Sequence, residues 1–254
     1  MLCGVTKIQA CIRNMVDVQI DSLVVHVPHA SVFIPDDVWP EFIVPREQVE
    51  IEALASADLF TDQIAHQAWP QATIIEAPVS RIVVDVERYD DDNKEEMATV
   101  GRGVLYTHDH NGRKIRDGLS KQRREELLSR YYRPHWRELR TQASGATLID
   151  LHTYPAEPWS IERHAHGKRP EIDIGFTEDL SSRSWVRALT EHFRKHGYEV
   201  GHNTPYVGVI DVGAQEAVMI EIRRDIVGQP GSDPNWQRLI SAMSTIPIGV
   251  LNNG

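Results

Sequence analysis

Cysteine is nearly absent from this chain of 254 residues: it has two, Cys3 and Cys11, both close to the start. That excludes a disulfide framework or a CxxC metal knuckle as the organising device. No apolar run approaches the ~20 residues of a membrane-spanning helix. Lys7, Arg13 and Asp17 interrupt the N-terminal stretch, which does not read as a secretory leader, so a cytoplasmic location is expected. Positive charge is the scarcer sign, with 27 Lys and Arg against 37 Asp and Glu and a net charge of −10. This balance argues against broad affinity for nucleic acid or anionic membrane. Internal repeats, low-complexity linkers and composition breaks are also lacking. The expectation is therefore one globular domain over 21–254, preceded by an extension over 1–20 that shows no strong period.

What is present is an alternation of strand-like and helix-like segments. "LVVHVP" (23–28) is β-branched and ends at a proline that cannot donate a ladder hydrogen bond, as befits a strand end. Within 34–69 the second half is helical in pattern, with Leu54, Leu59 and Ile64 falling roughly on one face. "ATIIEAP" (72–78) and "RIVVDVER" (81–88) predict strands, or strand plus loop. A long irregular stretch follows from Asp90 to about residue 110. Residues 117–142 predict a helix carrying Leu128, Tyr131, His135 and Leu139 on one face, kinked at Pro134. Strands are expected at 146–155, 169–176 and 216–225, extended structure at 199–206, and an amphipathic helix at 179–198 ended by Gly197. The alternation predicts an α/β layered fold.

Three of these strands end in groups capable of chemistry: His29, the pair Asp150 and His152, and Glu221. In open α/β sheets the carboxyl ends of strands are where ligands bind. Asp150 and His152, two apart, share a strand face. His26 and His29 differ by an odd number, so a regular strand sends them to opposite faces unless Pro28 redirects the chain. A catalytic zinc takes three ligands from His and Asp or Glu and keeps a fourth position for water. Two histidines and a carboxylate meet that need, and spacing leaves Asp58, Asp62 and His26 open as the third ligand. For Asp58 the bland alternative is an exposed helix residue or a cap.

The ordered set "VPHAS", "ADLFTDQI", "SRIVVDVER", "GVLYTHD", "RPHWREL", "LIDLHTYP" and "MIEIRRD" resembles the N-formylglutamate amidohydrolase family across roughly 21–227. The resemblance implies a single three-layer α/β/α domain around a mixed, mostly parallel sheet, similar to zinc exopeptidases. It implies Zn2+ held by His29, Asp58 and His152, with Glu221 as general base. It makes Arg81 and Arg88 candidates for binding a substrate carboxylate, and a small anionic N-acyl amino acid, N-formyl-L-glutamate above all, the substrate. Two departures stand out. "PHAS" lacks the glycine usual in that turn, and "DVER" carries Glu87 where the family often has asparagine.

Other features invite other readings. Residues 111–140 hold ten Lys and Arg against four acids, which admits an anion-binding face, yet the apolar positions describe a packed helix with a solvated basic side. His108 and His110 in "THDH" are ranked as substrate-side or surface groups, and His164 and His166 as part of a solvated loop. Arg81 and Asp85 are spaced for a surface ion pair. The alternatives to the amidohydrolase are a carboxypeptidase-like peptidase and a non-catalytic anion-binding protein on the same fold.

Overall fold

All but one of the β-branched runs fold as expected into strands, and the strands assemble into one six-stranded sheet. The computed structural model describes residues 22–162 and 168–248. The strands are β1 (Leu23–Val27), β2 (Thr73–Glu76), β3 (Thr147–Tyr154), β4 (Ile172–Gly175), β5 (Val200–His202) and β6 (Glu216–Arg223), in the order β2-β1-β3-β6-β4-β5. β2, β1, β3 and β6 run parallel; β4 is antiparallel to β6 and carries β5 beside it. The register sets His26 beside Asp150 and His152 beside Glu221. Alternation then decides what each face carries.

One face presents Val25, Val27, Ile149, Leu151, Val218 and Ile220. Against it pack α2 (Thr61–Ala68) through Ile64, α5 (Arg183–Lys195) through Trp185 and Phe193, and α6 (Pro234–Ser244) through Trp236 and Leu239. Each such side chain fully removed from water contributes ~1.5–3 kcal/mol. The opposite face offers Val24, Leu148 and Ala217 to Leu139 and Ala143 of α4 (Arg133–Ala143). His26, Asp150, His152 and Glu221 lie on that second face, beyond the apolar patch. A satellite core joins α1 (Arg46–Ser56) and α3 (Lys121–Leu127) through Val49, Ala53 and Leu127. The fold is mixed α/β, helices flanking a mostly parallel sheet.

Several local expectations need correction. Residues 81–88 form turns, not a strand: the Ser80 carbonyl accepts from both Val83 and Val84, and Asp85 N–H donates to Val104. Ile82, Val83 and Val84 are apolar because the satellite core surrounds them, not because they alternate across a sheet. The face proposed for Leu54, Leu59 and Ile64 does not exist, since α1 ends at Ser56 and Leu54 is 49% exposed. The helix over 117–142 begins at Lys121 and is interrupted before Pro134 by a π-turn, Leu128–Tyr132, in which Arg133 N–H reaches back to Leu128. Proline cannot continue the α-pattern of hydrogen bonds, and a wider turn accommodates it. Leu128, Tyr131, His135 and Leu139 all face inward as predicted. Gly197 ends the 179–198 helix region in the left-handed conformation, φ 82°. The 1–20 extension, with Cys3 and Cys11, lies outside the described residues, as do His164 and His166.

Candidate metal centre

The centre is built at the carboxyl ends of β1 and β3. Beyond Val27 the chain turns at Pro28 and delivers His29; β3 supplies His152 from within the strand. Asp58 comes from the connection between α1 and α2 rather than from a helix. Its N–H donates to the His29 carbonyl at 2.9 Å, and its own carbonyl accepts from the Thr61 hydroxyl at 2.7 Å. Two loops are thus tied by backbone before their side chains meet, and Asp58 is buried, not an exposed helix residue.

Asp58 Oδ2 lies 3.0 Å from His152 Nδ1 and 3.5 Å from His29 Nδ1. The three buried side chains form a group whose donor atoms fall within 4.8 Å of one another. The second nitrogen of each imidazole is held by a carboxylate: His29 Nε2 by Asp85 Oδ1 at 2.9 Å, His152 Nε2 by Asp150 Oδ1 at 3.1 Å. Carboxylates accept only, so each of these contacts fixes an N–H there and turns Nδ1 towards the centre. His29 Nδ1 is buried and has no hydrogen-bond partner. An orphaned imidazole nitrogen beside a carboxylate and a second imidazole is a donor set that suits zinc.

The electrostatics agree with the geometry. Burial alone would push the Asp58 carboxyl up, but the His152 hydrogen bond and the adjacent His29 imidazole hold it well below the usual range. Burial likewise opposes charge on His152, yet the surrounding carboxylates, Glu87 and Asp150 first, keep it protonated well above its ordinary pKa. That proton offsets the negative charge of the carboxylates gathered around His152. Arg224, overlooked in the sequence, donates to Asp58 Oδ1 at 3.2 Å.

Glu221 sits one strand over from His152, buried, with Oε2 unpartnered. Burial pushes its pKa up to about 8, with Asp58 and Glu87 adding to the shift and His152 opposing it. Arg81 and Arg88 line the same cavity of about 1510 Å³ as His29, Asp58, His152 and Glu221. Arg81 is already engaged through Nε and Nη2 with Asp85 Oδ2, at 3.0 and 2.8 Å. The expected pair is therefore present, but buried: Asp85 also accepts from Tyr106 at 2.7 Å and anchors His29. Arg88 is looser, 3.6 Å from Asp85 and 3.7 Å from Glu95, with Nε lacking a hydrogen bond.

The other candidates fall elsewhere. Asp62 opens α2 and does not line the cavity. His108 and His110 do not line it either, which corrects the substrate-side reading; His110 Nδ1 instead meets buried Glu52 at 2.6 Å. His26 belongs to a neighbouring group with Glu87 and Asp150. Glu87 was visible in the sequence only as a departure from a motif, and Asp85 only as a partner for Arg81. Nothing local signalled that both would face histidines.

Asp173 on β4 lies beside Glu221 in the sheet register, is buried, and leaves Oδ1 unpaired. Burial raises its pKa to about 7 against the pull of the Thr204 N–H. The folded state therefore keeps a proton that the unfolded state releases from about pH 4 upward, and stability falls as pH rises from there to about 7. The loss amounts to up to about 4 kcal/mol across that interval. Asp173→Asn, which retains an acceptor for Thr204, is expected to match the wild type in urea unfolding near pH 4 and exceed it at pH 8.

Comparison with known proteins adds ancestry to this geometry. The family model described as N-formylglutamate amidohydrolase matches residues 21–227. A crystal structure of N-formylglutamate amidohydrolase from Ralstonia eutropha JMP134 superposes with a TM-score of 0.71 at 19% identity, covering 89% of this chain and 91% of that one. The structure of gene product Atu2144 from Agrobacterium tumefaciens gives 0.63 at 17% identity, covering 87% and 86%. At these identities the solved structures speak for the fold. No curated protein matches the chain in sequence.

Proposed function

The chain belongs to the N-formylglutamate amidohydrolase family, and from that premise we propose that it is a zinc-dependent hydrolase of the N-acyl amide of a small acidic amino acid, N-formyl-L-glutamate first among them. The observation that carries the reading is the buried, unpartnered His29 Nδ1, set beside Asp58 and His152.

His29, Asp58 and His152 would hold the ion, with Asp85 and Asp150 orienting the two imidazoles. Zinc there supplies a Lewis acid that polarises the amide carbonyl and acidifies water. Glu221, buried and unpartnered at Oε2, would take the proton from water and pass it to the leaving nitrogen. Arg88, whose Nε has no hydrogen bond, would receive the substrate carboxylate through its planar fork of donors. Arg81, committed to Asp85, would contribute its charge to the same end of the cavity and keep Asp85 in place. Binding the carboxylate at a fixed distance from the scissile amide turns an encounter into an oriented one.

The test is formate release from N-formyl-L-glutamate by the purified protein, before chelation, after it, and after zinc is restored. Activity lost and regained supports the reading. Activity that survives chelation rejects the metal, and absence of activity on every N-acyl acidic amino acid rejects the substrate class. Arg88→Ala is expected to raise KM about 10–100-fold while changing kcat less, since a charge-assisted hydrogen bond contributes ~1.5–3 kcal/mol; steady-state kinetics on N-formylglutamate and its amide read this out.

A further inference from the structure

Glu87 is the residue that the amidohydrolase chemistry leaves unexplained. Its side chain is only 19% exposed, and its carboxylate faces imidazoles on three sides. Oε1 lies 3.7 Å from His26 Nδ1 and 3.3 Å from His152 Nε2, while Oε2 lies 3.6 Å from His29 Nδ1. His26, Glu87 and Asp150 form a second group of donor atoms, all within 4.8 Å of one another, next to the first.

His26 turns Nε2 towards buried His135 Nε2, 2.8 Å away, and Nδ1 towards this group. Nδ1 lies 2.9 Å from Asp150 Oδ1 and 3.7 Å from Glu87 Oε1. Two carboxylates converging on one buried imidazole nitrogen concentrate negative charge that a cation between them offsets. Asp150 meanwhile serves both groups, since the same Oδ1 approaches His152 Nε2.

We propose that a second divalent transition-metal ion is held by His26, Asp150 and Glu87 beside the one at His29, Asp58 and His152, with Glu87 standing between the two. One imidazole and two carboxylates suit a borderline ion such as zinc or manganese. His135 is then the outer partner that orients His26, as acceptors commonly orient metal-bound histidines.

The experiment is a metal count. The full chain is stripped with chelator, reloaded with Zn2+, desalted and analysed for zinc per chain, in parallel with calorimetric titration. Two ions per chain are expected for the wild type and one for Glu87→Gln, which keeps the size of the side chain and removes its charge, and for Glu87→Asn, which also shortens it by one methylene. Circular dichroism checks that each variant is folded, and cobalt loading supplies a second readout: magnetic coupling between two ions in the wild type and none in the variants. One ion per wild-type chain at saturation would overturn the proposal and assign the cation at His26 to a proton. Two ions persisting unchanged in both Glu87 variants would also overturn it. Neither count depends on substrate, so an inactive protein that binds two ions refutes the hydrolase reading and leaves this one standing.

Discussion

His152→Ala is expected to leave a protein that neither retains zinc nor releases formate, whatever zinc is added back. Deleting a group that only orients a metal-bound histidine costs ~10–100-fold in metal affinity. On the proposed reading His152 is the ligand itself, so its loss is expected to cost more. It is also the positive partner that lies between Asp58 and Asp150 in the metal-free protein, at 3.0 and 3.1 Å. The variant therefore brings two buried carboxylates together with less compensation. Metal analysis and formate release, with thermal unfolding of both proteins in the stripped state, check it. The stripped wild type regains activity with zinc and the variant does not. A variant that still binds zinc with wild-type affinity would remove His152 from the site.

Glu221→Gln is expected to lower kcat by ~10²–10⁴ while zinc content and KM stay close to those of the wild type, the range removed with a general base. Glutamine fills the same volume in a buried position, so packing is preserved and only proton transfer is lost. The pH profile carries a further sign. In the metal-free protein burial pushes Glu221 up to about 8. A cation beside it favours the charged carboxylate and pulls that value down. A base works only when ionised, so wild-type kcat/KM should rise with pH to a plateau, with the midpoint of that limb below 8 in the loaded enzyme. Glu221→Gln should lack the limb. A variant that keeps both its rate and the limb would assign the base elsewhere, and Glu87, which also faces the histidines, would be the next to test.

The cavity is larger than a single acyl amino acid needs, which bears on substrate choice. At about 1510 Å³ it exceeds the ~300–1,000 Å³ typical of small-ligand sites, and Arg137 and Arg140 of α4 form part of its wall. The basic stretch singled out in the sequence is therefore both a packed helix and part of the cavity wall. Extending the panel of N-acyl acidic amino acids to longer acyl groups follows from that volume.

Much of the fold could be read residue by residue, because strand formation is local. β-branched runs bounded by proline or glycine predicted β1, β3 and β6, and the two-residue period placed Asp150 and His152 on one face. The same reasoning misjudged "RIVVDVER", where apolar character reflects burial by a surrounding loop core, and the Leu54 face, where a helix stops early. Both depend on what the rest of the chain does. Among the site candidates, His29, His152 and Glu221 were legible because each lies in or just beyond a recognisable strand.

What the amino-acid order determined by itself was the set of elements and the chemical types waiting at their ends. Which of Asp58, Asp62 and His26 joins the two histidines was decided only when the chain closed, since Asp58 meets a residue 94 positions away through a connection with no regular pattern. The contacts of Asp85, Glu87 and His135 were decided there too. A side chain's partner across a sheet depends on strand order and register, and these are settled by the packing of all the strands and helices together rather than by any short stretch of sequence.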